Sequence, residues 1–166
     1  MRFDWGALID RLRECRYHQF LAPSPRDRIA AVEEKVGAMP ALLREMLEHF
    51  NGAELFIGGL PLLTLFRIST VPSLPSLEWS EEWYIDKLTP KWRASGPNRN
   101  DDWAIGMTNY GGLILFNESR GISEWDTGES RWLIREMPFN EWIEKIMKDG
   151  EVMMAELNMD DSAKPH

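Results

Sequence analysis

Between residues 28 and 53 apolar side chains recur at helical spacing twice in succession. Ile29, Val32 and Val36 share one face of a short helix, which Gly37 can end by taking a left-handed conformation. Pro40 starts a second helix. At a first helical position its missing N–H costs nothing and its φ is already helical, and Leu43, Met46, Leu47 and Phe50 follow with the same period. Asn51-Gly52 stops that helix, and the next apolar run, 54–57, reads as a strand. A second strand, 62–66, follows Gly58-Gly59-Leu60-Pro61, whose turn chemistry predicts a hairpin. Upstream, Trp5, Leu8, Ile9 and Leu12 predict an N-terminal helix continuing towards Phe20, with Pro23 and Pro25 breaking it.

The pattern changes over residues 69–102. Pro72, Pro75, Pro90 and Pro97 interrupt a segment that also holds Trp79, Trp83, Tyr84 and Trp92, so it reads as an excursion from the sheet. Residues 80–88 suit a short helix capped by Ser80, with Glu81 and Glu82 near the positive end of its dipole. Residues 95–102 read as loop. Four further strands are expected at 103–107, 112–116, 121–125 and 132–134. The turns between them, at 109–111, 117–121 and 126–128, carry residues that tolerate positive φ. A four-residue loop in the last hairpin would set Trp125 opposite Trp132. Pro138 opens a final helix striped by Phe139, Trp142, Ile143, Ile146 and Met147, and Gly150 is expected to end it. The acidic stretch 151–166 reads as a frayed tail. The fold class is α+β: a mainly antiparallel meander of about four to six strands, packed against N-terminal helices and a C-terminal helix, in one domain over 1–150.

Composition narrows the function classes. A chain of 166 residues can bury roughly 70% of the surface its unfolded form exposes, which suffices for one self-supporting core. The single cysteine, Cys15, excludes an internal disulfide, and no signal-peptide pattern opens the chain, so a cytosolic location is expected. No apolar run approaches a bilayer span. The formal net charge of -8 opposes a phosphate backbone and favours a basic protein partner over nucleic acid, although acidic surfaces also serve solubility.

Catalytic chemistry finds little support. Three histidines, His18, His49 and His166, accompany no nucleophile elbow and no phosphate-cradling glycine loop. Cys15 and His18 could share a helical face, but two ligands do not close a zinc site. Asn98, Asn100 and Asp102 alternate as calcium ligands do, yet Trp103 replaces the required glycine and Asn109 the distal glutamate. Side chains of the neighbours Glu81 and Glu82, or Asp101 and Asp102, diverge, which argues against acid/base pairing. Glu33 and Glu34 are expected to cap or solvate their helix. No cofactor and no metal are expected.

Eight tryptophans need an account. Trp103, Trp125, Trp132 and Trp142 fall on core positions. Trp79 and Trp83, one helical turn apart beside Tyr84 and Asp86, either close the excursion onto the sheet or anchor a partner. In the second reading the partner-binding residues are Glu78, Trp79, Glu81, Glu82, Trp83, Tyr84, Asp86, Asp101 and Asp102: aromatic contact ringed by carboxylates, facing a basic protein.

Four pieces in order carry a family resemblance: Glu33 or Glu34 followed by Gly37 and Met39-Pro40; Phe50-Asn51-Gly52-Ala53; Trp103-Ala104-Ile105-Gly106 followed by Gly111-Gly112; and Gly121-Ile122 leading on to Phe139-Asn140-Glu141-Trp142. Over residues 28–147 the chain resembles the SUKH superfamily, which includes the Smi and Knr proteins of fungal cell-wall regulation and many bacterial immunity proteins. Met39 stands where the family usually has leucine, and Asn117 where an aspartate often precedes the turn. The excursion over 69–102 and the N-terminal helix match no family motif. The resemblance implies an α+β fold and binding without catalysis, most often neutralisation of a toxin acting in the cytosol. An intracellular regulatory or scaffold protein resembling the fungal members is the alternative. A small hydrolase is the remote one, and would gather His18 or His49 with carboxylates in a polar pocket.

Overall fold

Hairpin chemistry organises the molecule. The computed structural model describes residues 2–12, 17–69, 83–95, 97 and 99–157. In chain order the elements are α1 (Trp5–Leu12), β1 (Gln19–Phe20), α2 (Arg26–Val36), α3 (Ala41–His49), β2 (Ala53–Gly58), β3 (Leu60–Leu65), α4 (Ile85–Ser95), β4 (Trp103–Thr108), β5 (Gly112–Asn117), β6 (Gly121–Asp126), β7 (Arg131–Met137) and α5 (Phe139–Glu156). Among the described residues one open antiparallel sheet runs in the order β1-β2-β3-β4-β5-β6-β7. The class is α+β, as expected, but with seven strands where four to six were anticipated.

Strand alternation gives the sheet two unlike faces. Phe20, Ala53, Leu65, Gly106, Ile114, Glu124 and Ile134 are successive cross-strand partners. Five of these seven are buried, and Phe20 and Ile134 at the two ends are half-buried. Phe20 stacks edge-on against Phe50 and Phe50 against Trp5, and Trp5 meets Phe139, at the start of α5, at a tilt. The Trp5 indole Nε1 donates to the Leu42 carbonyl at 3.1 Å, tying α1 to α3. The neighbouring row is Gln19, Glu54, Thr64, Met107, Leu113, Trp125 and Trp132. Most of its members are half-buried or exposed. Helix α4 covers this face at one end, with Trp92 edge-on to both Trp125 and Trp132, whose own rings meet at 4.8 Å across the expected four-residue loop.

Several boundaries differ from the sequence reading. The N-terminal helix ends at Leu12 among the described residues, and Gln19–Phe20 is strand: its backbone is claimed by pairing with Glu54 and Ala53. Pro40 and Pro138 are not first helical residues but extended caps, with ψ of 143° and 141°. Gly37 does have positive φ, 124°, but with ψ of 173° it sits in the glycine-only extended region instead of the left-handed helical one. Pro90 does not break the chain; it lies inside α4, where tertiary bonds override its missing donor. Thr89 Oγ1 accepts the Ala104 N–H, and Arg93 donates to the Val36 and Asp102 carbonyls. Gly150 does not end α5, which continues six residues beyond it. A Cβ at Gly150 would overlap the Phe56 ring, so its role is close approach of helix to sheet. The 80–88 helix is displaced: α4 begins at Ile85, and Ser80, Glu81 and Glu82 lie outside the described residues, as do Cys15, Asn98 and the tail beyond Leu157.

Glu33 does more than solvate its helix. Both carboxylate oxygens accept from the Arg44 guanidinium, at 3.2 and 3.0 Å, and one also accepts the Met39 N–H, so the fork clamps α2 to α3 across the Gly37-to-Pro40 link. The Arg44 hydrogen bonds, helped by the Met39 N–H, hold the Glu33 carboxyl below its ordinary value of 4.5. A depressed carboxyl stabilises the fold above its unfolded pKa and loses that contribution as pH falls through the folded one. Glu33→Gln is therefore expected to lower stability at neutral pH by about 1 kcal/mol, allowing for partial exposure of the pair. Its deficit should shrink below about pH 4.5, which chemical denaturation across pH 3–7 would read. An unchanged deficit at pH 3 would refute the assignment.

Candidate partner-binding surface

The half-open face of the sheet deepens at the β1–β3 end. There Leu21, Glu54, Thr64, Phe66, Arg67 and Trp83 enclose most of a groove of about 230 Å³. Strand alternation brings Gln19, Glu54 and Thr64 up from the floor, and Trp83 forms a wall. Its ring stands edge-on to Phe66 at 6.0 Å and is 38% exposed, an unusual exposure for an indole in a chain with so buried a core.

Trp83 is rigidly based. The next residue, Tyr84, pairs in parallel with Arg67 at the end of β3; the Ile85 N–H donates to the Arg67 carbonyl, and the Arg67 guanidinium lies 5.1 Å from the Tyr84 ring centroid. Asp86 accepts from the Ser69 N–H at 2.9 Å and from the Ser69 hydroxyl. These contacts bring residue 69, where the excursion leaves the sheet, beside residue 86 at the start of α4. Glu78, Trp79, Glu81 and Glu82 belong to the stretch between them and lie outside the described residues.

The expected acidic and aromatic set therefore divides. Trp83 is at the surface, whereas Tyr84 and Asp86 are buried at the base just described. Asp101 and Asp102 gather at the other end of α4, around Arg120. Asp101 is mostly exposed and pairs with Arg120 at 2.7 Å, and the hydrogen bond from that guanidinium lowers its pKa. Asp102 is 1% exposed: it accepts from Arg120 at 2.9 Å and from the Trp92 indole at 3.2 Å, with Arg99 at 3.9 Å. The Arg120 guanidinium is raised in turn, chiefly by its bond to Asp102. Asp86 and Asp102 thus spend their carboxylates on the fold, and Tyr84 lends it its backbone and its ring. Their partners, Ser69, Arg67, Arg99 and Arg120, come from other parts of the chain, which local composition does not reveal.

The cationic side of this region went unread in the sequence. Arg99 stacks over Trp132 at 4.2 Å and donates to Ser123 Oγ at 2.9 Å; Arg93 lies 5.0 Å from the Trp103 centroid.

Histidine and carboxylate chemistry is dispersed. His18 is not helical; it precedes β1, and its Nδ1 accepts the Phe56 N–H at 3.1 Å. The His49 Nδ1 lies 2.7 Å from the Glu45 carbonyl of its own helix. Among the described residues no group of three or more His, Cys, Asp or Glu could hold a metal ion, and no helix is long and apolar enough to cross a membrane. No family model matches this chain, and no curated protein matches it.

Proposed function

We propose that this chain is a protein-binding domain without catalytic function, most consistent with an immunity protein that neutralises a toxin acting in the cytosol by occluding it. The observation that carries the reading is Trp83: a half-exposed indole on a fixed base, beside an apolar groove on the open face of the sheet. Aromatic side chains held this way supply buried contact at little entropic cost, as interface anchors do. The resemblance over residues 28–147 supports the immunity reading, and the net charge of -8 suits a basic partner drawn in electrostatically.

Co-expression with any toxin that a neighbouring gene encodes is the direct test. Wild-type protein is expected to protect the cell. Trp83→Ala should weaken the purified complex by about tenfold or more, with little change in thermal midpoint, because the ring packs edge-on against Phe66 alone among the described aromatics. Association should slow with added salt. Full protection with unaltered affinity in the Trp83→Ala protein would remove the groove from the interface, and lack of protection by the wild type would favour the regulatory alternative.

A further inference from the structure

Glu124 is 1% exposed, and its place in the sheet gives its carboxyl little room to leave. It projects beneath α5 from the buried row, with Ile114 and Ile134 as its cross-strand partners. The space it fills is the one a side chain at Gly112 would need, since a Cβ built there would overlap the Glu124 carboxyl. Beside it stands the Thr108 hydroxyl, at 3.3 Å from Oε1, and the Tyr110 phenol, on the β4–β5 turn, lowers the pKa of the same carboxyl.

Thr108 has more acceptors than protons. Its Oγ1 accepts the Gly112 N–H at 2.9 Å, and its single hydroxyl hydrogen can go either to Glu124 at 3.3 Å or to the Gly112 carbonyl at 3.5 Å. Which it chooses depends on whether the carboxyl needs a donor or supplies one.

We propose that Thr108, Tyr110 and Glu124 form a proton-operated clasp on the β4–β5 turn. With Glu124 ionised, Thr108 and Tyr110 both donate to the carboxylate. When Glu124 takes a proton from solvent, its O–H donates to Thr108 Oγ1, and the Thr108 hydrogen swings to the Gly112 carbonyl. Thr108 then holds Gly112 at both its N–H and its C=O, while Tyr110 loses its charge-assisted bond and keeps a weaker neutral one. Neither state strands a buried polar atom of the three residues, so the exchange is inexpensive. Its visible output is Tyr110, which is 52% exposed.

The groups facing the clasp are Tyr110 from the turn and Lys145 and Asp149 from α5, the last two paired at 2.7 Å and acting on Glu124 in opposite senses. Burial raises the Glu124 carboxyl above its ordinary value of 4.5, against the opposing pull of the Tyr110 and Thr108 bonds. Desolvation, together with the Glu124 charge, raises the Tyr110 phenol as well. The inference is independent of the partner-binding reading.

Nuclear magnetic resonance between pH 4 and 8 tests it on the wild-type protein. The Glu124 side-chain carbonyl, the Gly112 amide and the Tyr110 ring are expected to shift with one shared midpoint above 4.5, the ordinary value for the carboxyl. Glu124→Gln should abolish the transition at Gly112 and Tyr110. Thr108→Val should leave the Glu124 transition in place but uncouple the Gly112 amide from it, which keeps the test decisive if the glutamine variant folds poorly. A Glu124 midpoint at or below the ordinary value, or Gly112 and Tyr110 shifts that ignore it, would overturn the clasp.

Discussion

Asp102→Ala is expected to lower the free energy of unfolding by about 3 kcal/mol, the low end of what breaking a buried ion pair costs. The carboxylate is the hub of the α4 end of the molecule, where the Trp92 indole and the Arg120 guanidinium both donate to it. Its removal leaves a buried indole N–H without an acceptor and Arg120 with half its countercharge. The effect stays at the low end because Arg120 is 28% exposed and retains Asp101. Asp102→Asn separates the contributions: the amide oxygen can still accept from Trp92, while the charge and the bond accepted from Arg120 are lost, and about half the deficit should remain. Urea unfolding followed by tryptophan fluorescence would measure both, since Trp92 touches Trp125 and Trp132. A loss below about 1 kcal/mol for the alanine variant would mean that Asp102 behaves as a surface charge.

Gly150→Ala should also destabilise, by about 1–3 kcal/mol, although alanine in a helix interior normally gains about 1 over glycine. The sign is decided by Phe56, whose ring occupies the space of the missing Cβ. That ring cannot easily retreat. Phe56 has φ of 55°, a conformation bulky residues avoid, and is held there by its N–H bond to His18 and by edge-on contact between the two rings at 4.5 Å. In a Phe56→Gly background the clash and the backbone strain both vanish, and the same Gly150→Ala change should become stabilising by up to about 1 kcal/mol. A double-mutant cycle reads this reversal of sign directly. Additive effects would show that helix and strand do not share the space.

The same pair explains where sequence reading succeeds and where it stops. Turn residues and period-two alternation are local, so the hairpins from residue 103 to residue 137 and the Trp125–Trp132 pair were legible. Gly150 carries the local mark of a helix stop, and only Phe56, ninety-odd residues earlier, turns it into a packing notch. Pro90 misled for a like reason, because the bonds that keep α4 intact come from residues as distant as Val36. Two-residue β1 is too short to have a period. In the candidate site, Trp83 stood out by composition, whereas Asp86 and Asp102 were indistinguishable from solvent-facing acids until Ser69 and Arg120 were brought beside them.

The strand order of the sheet repeats the order of the chain, which bears on how the molecule assembles. Each hairpin closes a short loop and can form early at small entropic expense, without waiting for remote segments to meet. Three joins depart from that scheme: β1 to β2, across α2 and α3; β3 to β4, bridged by the excursion; and the meeting of Trp5 with Phe139 across nearly the whole chain. Kinetic difficulty is thereby concentrated at the seam between the first helix and the last, and the meander can serve as the template on which that seam is sealed.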